Sequence, residues 1–211
     1  MSLGGGKKPV SQQPTKALGI DFQGAQYGPP IPVVYGKNKV AGNCIWYGDF
    51  QAIAQQQKQS GGKGGGGGSS TTSYTYKASY QLGLSEGPIA AVSTVYNGTS
   101  TTTVSALGGV VALGTSGQAP WAHLSGAAAI GYSNTALISF QSRDLGSQAS
   151  LPNDNFEVKG LLSFGGSVDD ADPSAVFTDI CNDTQHGMSG IVPLATPTQW
   201  SNYCVAAGLF L

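Results

Sequence analysis

Charge is what this chain has least of. Only 10% of its 211 residues are Asp, Glu, Lys or Arg, against about 25% in an average domain. The 10 basic and 11 acidic residues leave a formal net charge of −1, so there is no basic field of the kind that draws nucleic acid. Three cysteines, Cys44, Cys181 and Cys204, give an odd count without paired spacing. That excludes a disulfide framework and the usual zinc signatures. Cys181 and Cys204 fall in helix-like apolar patterns, where small buried thiols are common. No stretch approaches 18 consecutive apolar residues, so no helical membrane span is expected. Residues 1–13 carry Lys7 and Lys8 but no apolar segment, and so do not read as a signal peptide. A chain this poor in charge is poorly protected against self-association as a free monomer.

Glycine is abundant in its place, at 32 residues. The run from Gly61 to Gly68, interrupted by Lys63 alone and followed by Ser69 and Ser70, has no apolar side chain to bury. Such a segment is coil on its own. It stands between strand-like blocks, Ile31 to Tyr47 before it and Tyr74 to Tyr80 after it. The expectation is a loop ordered against another polypeptide. It is not a phosphate loop, because it lacks the Gly-Lys-Ser/Thr ending and leads into no helix. Residues 1–29 read as a flexible N-terminal arm.

The cleanest periodicity lies between Tyr74 and Leu84, where Tyr74, Tyr76, Ala78, Tyr80, Leu82 and Leu84 alternate with polar residues as in a strand packed on one face. Val33–Tyr35 and Val40–Trp46, separated by Gly36, Lys37, Asn38 and Lys39, read as a hairpin. Residues 47–59 fit either a continued strand or a turn into a helix. Ser85 to Pro88 is a turn, Ile89–Tyr96 a strand, Asn97-Gly98 a hairpin signal and Thr99–Val104 a β-branched strand. Ala136–Phe140 and Phe156–Leu162 are further short strands, and residues 106–118 are Gly-rich without clear pattern. The last forty residues change period. Asp172-Pro173 is an N-cap with Pro at the first helical position, and Val176, Phe177, Ile180 and Cys181 follow at helical spacing. Thr196-Pro197 repeats that opening, and Trp200, Tyr203, Cys204, Ala207 and Leu209 form a second stripe that runs to Leu211. Val176, Phe177, Ile180, Trp200, Tyr203 and Cys204 are expected to pack as one cluster, with Phe210 and Leu211 covered by a following domain or a neighbouring subunit.

Candidate chemistry is sparse. His186 lies near Asp179, Asp183 and Cys181, a set that admits a metal or an acid–base pair. Hydrogen bonding at a helix end, where a cation complements the dipole, is the preferred reading. Asp169, Asp170 and Asp172 precede a helix and lack the oxygen spacing of a calcium loop. Glu86, followed by Gly-Pro, reads as turn capping rather than catalysis. No serine nucleophile elbow is present. No catalytic, cofactor-binding or metal residue is therefore assigned, and the chain is not expected to be an enzyme. Trp46, Tyr47, Phe50 and Trp121 fit core or interface.

Several motifs in order carry a resemblance: Leu84-Ser85-Glu86-Gly87-Pro88-Ile89; Tyr132-Ser133-Asn134-Thr135-Ala136-Leu137-Ile138 with Leu145-Gly146-Ser147-Gln148; and Ile180 to Met188 with Trp200 and Tyr203-Cys204. Together they resemble the lambda-like tail tip attachment protein and the related hub proteins of long-tailed phages and gene transfer agents. The block from Ile31 to Asp49, with the Gly run and Tyr74-Thr75-Tyr76, resembles the hub branch more closely. The resemblance spans most of residues 30–211. It implies an α+β fold: a mainly antiparallel β, hub-type platform over 30–165, with the Gly-rich loop at 60–70, and a C-terminal helical pair over 166–211 that begins a further hub domain. It also implies a structural virion protein at the tail tip, a homotrimer closing the tail tube beside distal tail and tip ring subunits, assembled in the host cytoplasm. Family members are much longer, so receptor binding does not carry over to these residues. The rival readings are a peptidoglycan-degrading tail-tip enzyme, which needs a catalytic Glu or Cys/His pair, and a receptor- or carbohydrate-binding β module, which the helical end does not fit.

Overall fold

The computed structural model describes residues 14–21, 29–58, 70–161, 163–165, 168–188 and 198–209. The Gly61–Gly68 run, most of the N-terminal arm, Thr196-Pro197 and Phe210-Leu211 lie outside them. The fold is α+β, mainly antiparallel β with two C-terminal helices.

Ten strands follow in chain order: β1 (Lys37–Ala41), β2 (Asn43–Lys58), β3 (Ser70–Glu86), β4 (Ala91–Asn97), β5 (Ser100–Thr102), β6 (Gly109–Leu113), β7 (Thr135–Gly146), β8 (Asp154–Lys159), β9 (Ser163–Gly165) and β10 (Val168–Ala171). One sheet has the order β2-β3-β7-β6, the second β1-β8-β4-β5, and β9 pairs with β10. Tyr80, Leu82 and Leu84 of β3 and Ala136, Ile138 and Phe140 of β7 share one core with Val95 of β4 and Phe156 and Val158 of β8. The two four-stranded sheets thus pack face to face, each turning its alternate apolar residues inward. Burial on this scale, at about 25 cal/mol per Å² of apolar surface, holds the sandwich together. Gly42 alone separates β1 in one sheet from β2 in the other, and a side chain there would meet Leu82 at 2.8 Å.

The outer face of the first sheet is also covered. A strap, residues 114–134, folds back over it, so Ser79, Gln81, Leu137 and Ser139 are buried as deeply as the inward-facing set. The Gln118 side chain ties the strap down, accepting from the Gly114 N–H at 2.7 Å and donating to the carbonyls of Gly131 and Thr135 at 2.9 and 3.1 Å. Gly131 lets the strap close, since a Cβ there would collide with the Gln118 backbone carbonyl oxygen.

Several sequence expectations need correction. The hairpin over Val33–Trp46 does not form. Val33 and Tyr35 make isolated parallel bridges to Glu86 and Leu161, while Lys37–Ala41 pairs antiparallel with β8. The two lysines expected in a turn have cross-strand partners instead: Lys37 lies 3.5 Å from Glu157, and Lys39 sits 4.4 Å over the Tyr96 ring. Residues 47–58 are strand, not helix. β7 runs to Gly146, well beyond Phe140, and β8 ends at Lys159, before Leu162. β6 lies inside the segment that had no clear pattern. The expected hairpin at Asn97-Gly98 does form, with Gly98 and Thr99 as the two loop residues and Gly98 at φ 58°. This is the position where a two-residue hairpin turn favours glycine.

Helix α1 spans Pro173–Asn182 and α2 spans Thr198–Ala207. Asp172 caps α1, its Oδ1 accepting from the backbone N–H and the hydroxyl of Ser174, both at 2.9 Å. Its Oδ2 accepts from the Ser201 hydroxyl of α2, so one carboxylate starts the first helix and fastens the second. Burial opposes its ionisation, but the Ser201 and Ser174 donors win and hold the carboxyl below its ordinary 3.8.

Candidate functional site

Three features stand apart from the packed sandwich. The first is a ribbon. β2 and β3 remain paired out to Lys58 and Ser70, whereas β7 accompanies β3 only from Tyr76 onward. Residues 53–58 and 70–75 therefore project as two strands alone, about 20 Å at the usual rise per residue. β2 is also the outer strand of its sheet. Among the described residues nothing pairs with its free edge, which carries only Asp49 and Lys58 as charges. Long edges with so little charge are templates for another strand.

The second is an apolar ridge on the helical pair. Val176 and Cys181 of α1 and Cys204 of α2 are buried. Phe177 meets Trp200 edge-on at 6.0 Å, as the helical spacing predicts. The expected single packed cluster is only half formed, however: Phe177, Ile180, Trp200 and Tyr203 are 45%, 41%, 40% and 65% exposed, and Met188, Val205 and Leu209 extend the exposed surface. The correction has a geometric reason. Each helix has ten residues and packs mainly through its small buried side chains, so the large ones at the seam point outward.

The third is the junction between α1 and the platform. Asp179 and Asp183 lie one turn apart, and the chain turns back after α1 so that the Met188 N–H donates to the Ile180 carbonyl at 2.7 Å. His186 then falls between the two carboxylates, with Nε2 2.9 Å from Asp179 Oδ2 and Nδ1 3.2 Å from Asp183 Oδ1. The Tyr35 hydroxyl donates to the same Asp179 oxygen at 2.8 Å. Burial first, and then Asp179 as acceptor and neighbouring charge, push the Tyr35 hydroxyl pKa upward. The backbone N–H groups of His186 and Gln185 donate to Asp183 Oδ1 at 2.9 and 2.7 Å. The former leads, outweighs burial, and holds the Asp183 carboxyl below its usual value.

The remaining sequence candidates fall elsewhere. Glu86 ends β3, and its N–H donates to the Pro32 carbonyl at 2.8 Å. Asp169 and Asp170 belong to β10, which ends at Ala171, one residue before the Asp172 cap. His123 joins the strap to the sheet, 2.6 Å from Asp49, whose φ of 50° marks a bulge in β2. Trp121 lies between His123 and Trp46, at 4.7 and 6.0 Å. Phe50 stacks on Tyr76 at 5.7 Å, so most of the open aromatics are used in holding the strap and the ribbon base. Tyr74 is half-buried, and Tyr76 and Tyr80 are buried, on the face the alternation assigned to them. Cys44, Cys181 and Cys204 are free thiols, and burial pushes the Cys44 thiol up to about 11. No described helix is long and apolar enough to cross a membrane.

No family model matches the chain, and no curated protein matches it. In solved structures, a chain of the virion of a native gene transfer agent particle is similar in fold, with a TM-score of 0.57 over 88% of this chain at 18% identity. The chain spans 46% of the length of that structure's chain.

Proposed function

We propose that this chain is a structural virion protein of a phage-like particle, in the part of the tail-tip hub that closes the tail tube. The observation that carries the reading is the projecting β2–β3 ribbon, whose outer edge is nearly uncharged and pairs with no other strand among the described residues. A free-standing monomer guards such an edge with charge, proline or cover, whereas a subunit of an assembly offers it to a neighbour's strand. The exposed ridge of Phe177, Ile180, Trp200 and Tyr203 supports the same conclusion, as does the fold shared with a chain of a gene transfer agent virion. The ordered motifs that resemble tail hub proteins narrow the reading to the tip.

In this reading three copies surround the tail axis and contact distal tail and tip ring subunits. Assembly takes place in the host cytoplasm before the tip reaches a cell. The chain works by packing, with no chemistry of its own, and binds no nucleic acid directly. Deleting the gene tests this: particles should lose complete tail tips, and antibody against the chain should label one end of the intact tail. Normal tails without the protein, or label on the head, would overturn it.

A further inference from the structure

We infer that the cavity between the strap and the outer face of the first sheet is a binding site for an uncharged small molecule with an apolar body and a hydroxyl head. The cavity measures about 500 Å³, inside the range of about 300–1,000 Å³ in which proteins hold small ligands. Its walls are apolar: Val110 and Leu113 from β6, Leu137 from β7, and Pro120, Trp121 and Ile130 from the strap. Among the described residues no Asp, Glu, Lys, Arg or His lines it. An ion entering would give up its hydration with no opposite charge to replace it. The walls also stand without a ligand. Both ends of the Gln118 amide are spent inside the strap, and Trp121 is braced between His123 and Trp46. A single inserted side chain would leave much of the volume empty, and voids are unfavourable, so a free molecule of bicyclic size suits it better.

Gln81 sets the head group. It stands in β3 and lines the cavity, yet is only 1% exposed. Its Nε2 donates to the Ser139 hydroxyl at 3.0 Å, and its Oε1 has no hydrogen-bond partner. Turned end for end, the amide would accept from the Ser139 hydroxyl and leave Nε2 open instead. In either turn one end is unpaired and shut off from bulk water, which opposes folding. An apolar residue at that place in β3 would avoid the loss, as Leu137 does in the same wall on β7. The Ser139 hydroxyl also lines the cavity. A ligand hydroxyl answers both turns, because it donates to an amide oxygen and accepts from an amide nitrogen. The exposed Val110, Leu113 and Ile130 form the mouth. A molecule entering there brings its head to the Gln81–Ser139 pair and leaves its apolar body against Trp121 and Pro120.

The test uses the complete 211-residue chain and three probes of one shape, 2-naphthol, naphthalene and 2-naphthoate, each followed by equilibrium dialysis at neutral pH. 2-Naphthol should bind at one equivalent and about tenfold tighter than naphthalene, the worth of one well-made hydrogen bond. The anionic 2-naphthoate should not bind. Gln81→Leu should fold by circular dichroism, keep naphthalene binding and lose the preference for the hydroxyl. Ala112→Phe, which places a ring in the cavity from β6, should fold and bind none of the three. No saturable binding of 2-naphthol by the folded chain, binding that survives in folded Ala112→Phe, or a hydroxyl preference unchanged in Gln81→Leu overturns the inference. So does a neighbouring chain's side chain found in the cavity of the assembled particle.

Discussion

Arg143→Met removes the ion pair that fastens one sheet to the other. Arg143 stands in β7 and Asp154 in β8, in different sheets, with Nη2 2.6 Å from Oδ2 and side chains only 11% and 2% exposed. The contact is a charge pair without hydrogen-bond alignment at Oδ2. Asn97 donates to the other oxygen at 2.7 Å. The guanidinium also donates to the Tyr80 hydroxyl at 2.8 Å and lies 4.4 Å over the Phe140 ring. Burial raises the Tyr80 hydroxyl to about 12 against the opposing pull of Arg143. Taking away one partner of a buried pair strands the other charge, at a cost of about 3–5 kcal/mol. The Asn97 donor remains, so about 3 kcal/mol is expected, a large share of a typical total of about 5–15. For a chain of this size that lowers the melting point by about 6–12 °C. Urea unfolding followed by tryptophan fluorescence measures it. Adding Asp154→Leu should restore much of the loss, because an apolar pair of similar volume costs little in such a place. A single-variant cost under about 1 kcal/mol, or two effects that merely add, would refute the reasoning.

Asp172→Ala should cost about 1–2 kcal/mol through the lost cap, and hydrogen exchange should loosen α1 and α2 while the sandwich amides keep their protection; uniform loosening would contradict the local role given to Asp172. Glu157 accepts from the Ser93 hydroxyl at 2.6 Å and the Tyr96 hydroxyl at 2.8 Å, and these bonds, Ser93 first and with Lys37 assisting, hold its carboxyl below the ordinary 4.5. Its folded-state pKa is depressed, as is that of Asp172, so their stabilisation is complete above the ordinary carboxylate values and is lost as pH falls below them. Thermal midpoints should be level from about pH 7 to 5 and drop below about pH 4, with Glu157→Gln flattening the fall; an unchanged acid limb in that variant would count against the network. Gly160→Ala should destabilise strongly, since its Cβ would lie 2.0 Å from the Val34 carbonyl oxygen, and a wild-type melting curve would mean that the Val34–Gly160 contact yields freely.

What the sequence revealed was local. The alternation of Tyr76, Ala78, Tyr80, Leu82 and Leu84 marked the central strand because that strand meets the second sheet on one face. Asp172-Pro173 marked the start of α1 because cap and proline act within one turn. Pairing across long separations left no such trace. Lys37, Asn38 and Lys39 read as a turn until β8, over a hundred residues later, supplies Glu157 as a partner. Gly109–Leu113 was hidden by its glycine, which is there because the Phe140 ring comes within 2.5 Å of where a Cβ would sit. Gln55, Gln56 and Gln57 have no apolar period because the ribbon they form has no core to face. The Asp179, Asp183 and His186 group was visible as a cluster, but not the direction of its imidazole. Nothing near position 35 announces that a tyrosine 144 residues away in sequence completes it.

A reconstruction of the particle's tail tip at side-chain resolution tests the central claim most directly. Three copies of this chain should surround the tail axis, with a neighbour's strand or loop along the free edge of β2 and another protein surface covering Phe177, Trp200 and Tyr203. A tail tip that lacks the chain, or one in which both surfaces face solvent, would contradict the account.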